Sequence, residues 1–380
     1  MSNKPSTKRG VLLMTAILVA ALLIPMFSTS AQQAVNVDIR GSTTVWPIMD
    51  VARYQIPVLF PDTTLTIART GSGDGKRSVL RNLTDIGMAS APCVPGTDDV
   101  PPAIISCAQA TETRIARDAL SIVVHSSKTC VTDISRTQLK GIYEGTITNW
   151  NQISASCPSQ TIVPRARIIG SGTRQSFMDL ACPSGGCPIN DAAEQATINA
   201  TGLPRLLGNQ EMEEAIGDNT DGSQIGYVGL AFLDPDIRAL SVEGVFPSVA
   251  TVEDGSYRLS RSLYLYTIPP ELDPDPAKPR IQDVLNWATG FRGQSVVINE
   301  GFVAVAPAAP NWDVTADFVA NILDMSSIGT VFLAVPPPTG LDPPNDVTYG
   351  WVRANVVLDR QVNILDLATV GGRWLQTWTP

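Results

Sequence analysis

Three times in this chain a short strand-like run passes directly into a loop of glycine, serine and threonine that opens a helix. Val35-Asn-Val-Asp-Ile39 leads into Gly41-Ser-Thr-Thr44, and Thr64-Leu-Thr-Ile-Ala68 leads into Gly71-Ser-Gly-Asp-Gly75. Arg167-Ile-Ile169 leads into Gly170-Ser-Gly-Thr-Arg174. Strand signals alternating with helical signals from Val35 to about Ala306 predict an α/β fold. In open α/β sheets, ligands bind at the carboxyl ends of the strands. A helix N-terminus there presents free N–H groups and the positive end of a dipole, which suits an anion. Glycines let the backbone come close to a ligand, and the hydroxyls of Ser171 and Thr173 add donors. Arg167 and Arg174 add charge that never titrates. One such loop is equally well a capped surface turn. Three in one chain favour a shared anion site.

The second loop superficially resembles a nucleotide P-loop. That pattern requires Gly-x-x-x-x-Gly-Lys-Ser/Thr. Thr70 stands where the first glycine belongs, and Arg77 follows Lys76. A nucleotide site is therefore not expected.

Residues 1–31 read as a secretory signal peptide. Lys4, Lys8 and Arg9 form a basic start, Val11 to Phe27 is almost wholly apolar, and Ser28-Thr-Ser-Ala31 offers small residues for cleavage. The apolar run is slightly short for a membrane anchor. Removing the leader, with its three basic residues, takes the net charge from −9 to −12. Such a surface excludes nucleic acid as a natural partner. It also means that any anion must be held by local dipoles and a few arginines. The expected location is periplasmic or extracellular. In that setting six cysteines imply disulfides, with fifteen pairings open. Pairing of neighbours along the chain is the expectation: Cys93–Cys107, Cys130–Cys157 and Cys182–Cys187. A single histidine, His125, leaves little for a zinc site or a metal-dependent phosphatase.

Between Val35 and Ala306 the motifs occur in a specific order. Gly41-Ser-Thr-Thr-Val-Trp-Pro47 is followed by Gly71-Ser-Gly-Asp-Gly75, Thr84-Asp-Ile-Gly-Met-Ala-Ser-Ala-Pro92 and Asp118-Ala-Leu-Ser-Ile-Val-Val124. Gln138-Leu-Lys-Gly-Ile-Tyr143, Asn149-Trp150, Gly170-Ser-Gly-Thr-Arg174 and Ile225-Gly-Tyr-Val-Gly229 come next. Tyr257-Arg-Leu-Ser-Arg261 and Tyr264-Leu-Tyr-Thr267 close the set. This series resembles the phosphate-binding proteins of phosphate ABC importers. The resemblance implies a two-lobed, type II-like periplasmic-binding-protein fold with a two-strand hinge at 119–124 and 259–267. Lobe one would comprise 35–118 and 268–307, and lobe two 119–267 with the hinge strands. The implied phosphate ligands are Thr43, Thr44, Ser72, Arg167, Ser171, Gly172 and Thr173, with Arg174 near the cleft mouth. Asp85 is the implied acceptor for the proton of phosphate, a role that would exclude sulfate. No catalytic residue or required cofactor is implied, and an ABC permease is the implied partner.

The tail has a different character. Asp313-Val-Thr-Ala-Asp-Phe-Val-Ala-Asn-Ile-Leu-Asp324 is echoed by Asn355-Val-Val-Leu-Asp-Arg-Gln-Val-Asn-Ile-Leu-Asp366. Between the repeats, Pro336-Pro-Pro and Pro343-Pro344 form a stiff connector. The twelve-residue frame resembles an EF-hand loop, and the pair, within 308–380, resembles a dockerin that docks onto a cohesin. Asp313, Thr315, Asp317, Asn321 and Asp324 form a candidate calcium set, although Phe318 replaces the turn glycine. Val357 and Arg360 argue against calcium in the second loop. Two other readings remain: an extracellular adhesion or scaffold protein that uses this tail, and a phosphatase with Ser171 or Thr43 as nucleophile.

Overall fold

The structure is a computed structural model that describes residues 34–181, 188–274 and 280–306. The leader, the Cys182–Cys187 pair and the tail with its Asp313–Asp324 calcium set lie outside the described residues. No helix among the described residues is long and apolar enough to cross a membrane.

Among the described residues, nine strands form the sheet framework: β1 Val35–Gly41, β2 Thr63–Ala68, β3 Ile86–Ala89, β4 Thr111–His125, β5 Asp133–Ile134, β6 Val163–Pro164, β7 Gln224–Gly229, β8 Ile237–Val242 and β9 Ser260–Thr267. The helices used below are α1 Trp46–Leu59, α2 Ser72–Leu80, α3 Arg136–Tyr143, α4 Gly172–Leu180, α5 Asp191–Ala200 and α6 Asn209–Gly217. The strand order is β2-β1-β3-β9-β4-β7-β6, with β8 on β4 and β5 on β8. β1 runs parallel to both β2 and β3, so their carboxyl ends, at Gly41, Ala68 and Ala89, meet at one edge.

β4 joins two halves. Thr111 to Ala119 pairs with β9, whereas Leu120 to His125 pairs with β7 and β8. Each half has its own core. The first is built on Ile39, Ile48, Met49, Ile86, Met88, Leu263 and Leu265. The second is built on Leu120, Ile122, Val124, Trp150, Phe177, Tyr227 and Leu240. The chain returns at Leu259–Ser260, beside its outward crossing, where the Leu120 amide donates to the Leu259 carbonyl at 2.9 Å. The segment 260–267, expected with lobe two, belongs to the first half. Its alternation carries Leu263 and Leu265 into the first core, and β9 covers the edge of β3.

Local sequence explains where the helices begin. Pro47 sits in the first turn of α1, where its missing N–H costs nothing. Ser135 and Gln138 form a reciprocal capping box on α3. α2 starts at Ser72, where Gly71 adopts φ +93° and turns the chain into the helix. Arg167-Ile-Ile169 was expected as a strand, but it makes only an isolated bridge from Arg167 to Leu206. Its Ile169 faces solvent, so no apolar alternation holds it in a ladder. The Cys93–Cys107 and Cys130–Cys157 disulfides are present as expected.

α2 lies unusually close to the sheet. A Cβ on Gly75 would sit 2.6 Å from the Arg40 carbonyl oxygen and 2.8 Å from both the Gly41 Cα and the Met88 oxygen. All three are backbone atoms and cannot swing aside. Alanine ordinarily stabilises a helix interior by about 1 kcal/mol over glycine. Here the clash prevails, and Gly75→Ala is expected to lower stability by about 1–3 kcal/mol. Equilibrium denaturation in urea checks this. An unchanged or raised midpoint would refute the close approach.

Candidate functional site

The three loops converge. After β1, Gly41 takes φ +134° beneath Met88, whose carbonyl accepts from the Ser42 amide at 2.9 Å. Ser42 Oγ then accepts from the amides of Thr44 and Val45 and so folds the turn that leads into α1. The second loop is tied to the first by the Gly71 amide, which donates to the Gly41 carbonyl at 2.7 Å. The third loop crosses from the other half. Gly170, at φ +89°, accepts from the Gly73 amide at 2.9 Å. Ser171 caps α4 by accepting from the Arg174 amide. A Cβ on Gly172 would lie 2.3 Å from Ser72 Oγ and 2.8 Å from Ser90 Oγ, so the second and third loops are in direct contact.

Side chains complete the cradle. Thr44 and Thr173 place their hydroxyl oxygens 3.0 Å apart across the cleft. Thr44 Oγ1 also accepts from Asn209 Nδ2 at 2.9 Å and from Arg261 Nη2 at 3.4 Å. Its own proton therefore goes to Thr173, whose hydrogen is left to point elsewhere. Ser72 Oγ accepts from the Ser90 amide and lies 3.2 Å from the Ser90 hydroxyl.

Arg167 is only 1% exposed, yet none of its hydrogen-bond partners is charged. Its guanidinium donates to the carbonyls of Leu206 and Leu207, to Asn209 Oδ1 at 3.0 Å and to Thr43 Oγ1 at 2.9 Å. Burial pushes its pKa down to about 10; Tyr227 opposes this, the nearby positive charge of Arg261 adds to it more weakly, and Glu211 opposes it weakest of all. Three other buried cations are neutralised directly, whereas Arg165 and Lys128, like Arg167, donate to neutral partners. Lys76 lies 2.7 Å from Asp98, Arg174 lies 2.6 Å from Glu194 and Arg261 lies 2.8 Å from Asp118. A buried charge without a counter-charge is costly, and Arg167 is held where an anion would relieve that cost.

A model described as the PBP superfamily domain matches residues 28–291. The chain belongs to the PBP superfamily. Among its relatives, the phosphate-binding protein PstS of Staphylococcus saprophyticus is 25% identical over 273 residues, covering 70% of this chain and 79% of that protein. Protein SphX of Synechococcus elongatus is 27% identical over 278 residues, covering 69% and 77%. A crystal structure of a putative phosphate ABC transporter substrate-binding protein from Clostridium perfringens, with bound phosphate, aligns with a TM-score of 0.61 at 24% identity. It covers 71% of this chain and 100% of that one.

In this PBP-superfamily chain the structure brings together Thr43, Thr44, Ser72, Arg167, Ser171, Gly172 and Thr173. It does not bring Asp85 to them. Asp85 lies at the amino end of β3, and its Oδ2 accepts from the Asp38 amide at 2.8 Å. From there to Ser90, at the carboxyl end, is about 16 Å at the ~3.3 Å rise of a strand residue. The residue of that motif that reaches the cradle is Ser90. Strand polarity carried this signal, because ligands gather at carboxyl ends. Asn209 and Arg261 were also missed as site residues, since only the tertiary fold brings α6 and β9 to Thr44.

Arg174 is not at a cleft mouth. It is 8% exposed and donates to Glu194 through Nε at 3.3 Å and through Nη2 at 2.6 Å, with Asp191 alongside. Arg205 grips the same carboxylate at 3.0 and 2.9 Å and donates to the Arg167 carbonyl at 3.1 Å. The cluster thus fastens the third loop to α5. Burial raises the Glu194 pKa, but the hydrogen bonds from Arg205 and Arg174 outweigh it and the net shift is downward. A lowered folded-state pKa gives stability that is present above the unfolded value of about 4.3 and lost as pH falls through the folded value. Glu194→Gln is expected to destabilise the chain by about 3–5 kcal/mol at neutral pH and to flatten the acid limb of its stability profile. Urea unfolding between neutral and acid pH checks this. A variant that keeps the full acid limb would refute it.

Proposed function

We propose that this chain is an exported solute-binding protein that captures inorganic phosphate between its two halves and presents it to an ABC permease. One observation carries the reading: Arg167 is buried at the meeting point of three donor-rich loops with only neutral partners. A tetrahedral oxyanion supplies the missing charge and accepts from the loop amides and hydroxyls. The relationship to the phosphate-binding protein PstS favours phosphate among such anions. Charge-assisted hydrogen bonds contribute roughly 1.5–3 kcal/mol each, so a few of them give tight capture despite the acidic surface.

Capture and release require only that the halves separate and close about their paired crossings at Ala119–Leu120 and Leu259–Ser260. No covalent step enters, and the hydroxyls act as donors rather than nucleophiles. Among the described residues, no general base stands among their hydrogen-bond partners, as an activated Ser or Thr would need.

Equilibrium dialysis of labelled phosphate against the full chain tests the reading. Saturable one-to-one binding is expected. Thr173→Val, which keeps the shape and removes the hydroxyl, is expected to weaken binding by up to about tenfold, equivalent to about 0.5–1.5 kcal/mol. Absence of saturable binding to the folded chain would overturn the function.

A further inference from the structure

We propose that the cradle recognises a tetrahedral dianion by its bare oxygens, with no acceptor reserved for a ligand proton, so that sulfate competes with phosphate for this site. The inference rests on the phosphate reading above and narrows it to a charge state.

A protonated oxyanion carries an O–H that needs an acceptor, and the strongest is a carboxylate, which only accepts when ionised. The hydroxyl oxygens at the cradle are already receiving protein donors. Thr43 receives from Arg167, Thr44 from Asn209 and Arg261, Ser72 from the Ser90 amide, and Ser171 from the Arg174 amide. Thr44 gives its own hydrogen to Thr173, so what remains to face a ligand is the other hydroxyl hydrogens, together with loop amides and guanidinium N–H groups. Arg261 Nη1 adds a further buried donor that has no protein partner.

Among the described residues, no carboxylate is hydrogen-bonded to a cradle hydroxyl or to Arg167. Glu211 acts on Arg167 through its charge without a hydrogen bond, and four further carboxylates are committed elsewhere or remote. Asp118 accepts from Arg261 and the Leu230 amide, Asp98 lies on Lys76, Glu194 lies on Arg174 and Arg205, and Asp85 stands at the opposite end of its strand. A ligand O–H pointed into this cradle meets other donors, or a neutral hydroxyl oxygen that is a weaker acceptor than a carboxylate by roughly a factor of two. Sulfate presents four oxygens and no proton. Monohydrogen phosphate fits with its single hydroxyl turned outward. Dihydrogen phosphate has one proton too many and one charge too few to match Arg167.

Competition of sulfate against labelled phosphate on the full chain is the test. Sulfate is expected to displace phosphate with an inhibition constant within about tenfold of the phosphate dissociation constant, since only neutral-strength hydrogen bonds separate them. Phosphate affinity is expected to rise by up to about tenfold from about pH 6 to about pH 8 as the dianion replaces the monoanion. Asp85→Asn is expected to leave the phosphate-to-sulfate ratio unchanged. Saturable phosphate binding that a thousandfold excess of sulfate does not disturb would overturn the inference and leave the phosphate reading standing. So would an affinity that falls with pH, or a ratio that moves about tenfold or more in Asp85→Asn. Sulfate binding without phosphate binding would overturn the phosphate reading and keep the dianion inference, and failure of both ions to bind would overturn both.

Discussion

The pairing of Asp118 with Arg261 holds the crossing point of the molecule together. Asp118 is fully buried near the middle of β4, one residue before that strand leaves the first half for the second. Arg261 lies one residue past the return crossing and donates to the same carboxylate oxygen through Nε at 3.0 Å and Nη2 at 2.8 Å. The other carboxylate oxygen accepts from the Leu230 amide at the end of β7. One buried ion pair therefore touches both crossings and a strand of the second half. Breaking such a pair leaves an uncompensated charge in the interior, which costs several kcal/mol, so both crossings are held in one register. Through Arg261 Nη2 the pair also reaches Thr44 and sets where the first loop stands relative to the third.

The second constraint is steric. Glycines at 41, 75 and 87 allow α2 to approach the backbone of β1 and β3, with hypothetical Cβ atoms falling within 2.2–2.6 Å of carbonyl oxygens. Only that closeness places Ser72 against Ser90 and Gly172. On the opposite side, Phe177 stacks on Tyr227 with centroids 4.1 Å apart, and the Tyr227 hydroxyl accepts from the Arg167 amide at 3.1 Å. Each wall of the cradle is thus fixed by packing behind it. The loops are short because there is little slack for them to take up.

Much of this was legible in the sequence because it is locally encoded. The glycine, serine and threonine loops declare themselves by composition and by their position after strands, and of the eight site residues implied by the resemblance all but Asp85 stand together. Asp85 misled because the identity of its side chain suited a protonated anion, while its place at the amino end of β3 argued against contact. Ser90, five residues later, stands at the correct end and attracts no attention as a residue type. The boundary at 267 failed for a different reason. Whether β9 pairs with β3 or with a strand of the second half depends on which core receives Leu263 and Leu265, and that is a tertiary matter. Asn209, which bridges Thr44 and Arg167, begins α6 and carries no local signal that distinguishes it from a surface residue.

The acidic surface and the anion cradle are compatible because charge in this fold is handled at short range. At physiological ionic strength, exposed charges farther away than about 8 Å are largely screened. Inside, Lys76, Arg174 and Arg261 carry their own carboxylates, so they shape the site without adding net charge to it. Arg167 differs in having oxygen partners that are all neutral. Replacing those dipoles by a carboxylate would hold the arginine just as firmly and would leave nothing for a ligand to neutralise. Polar but uncharged ligation keeps the guanidinium ordered when the cleft is empty and leaves its charge available when the cleft is occupied. The same device that orients Arg167 is therefore what makes the cradle an anion site rather than one more internal salt bridge.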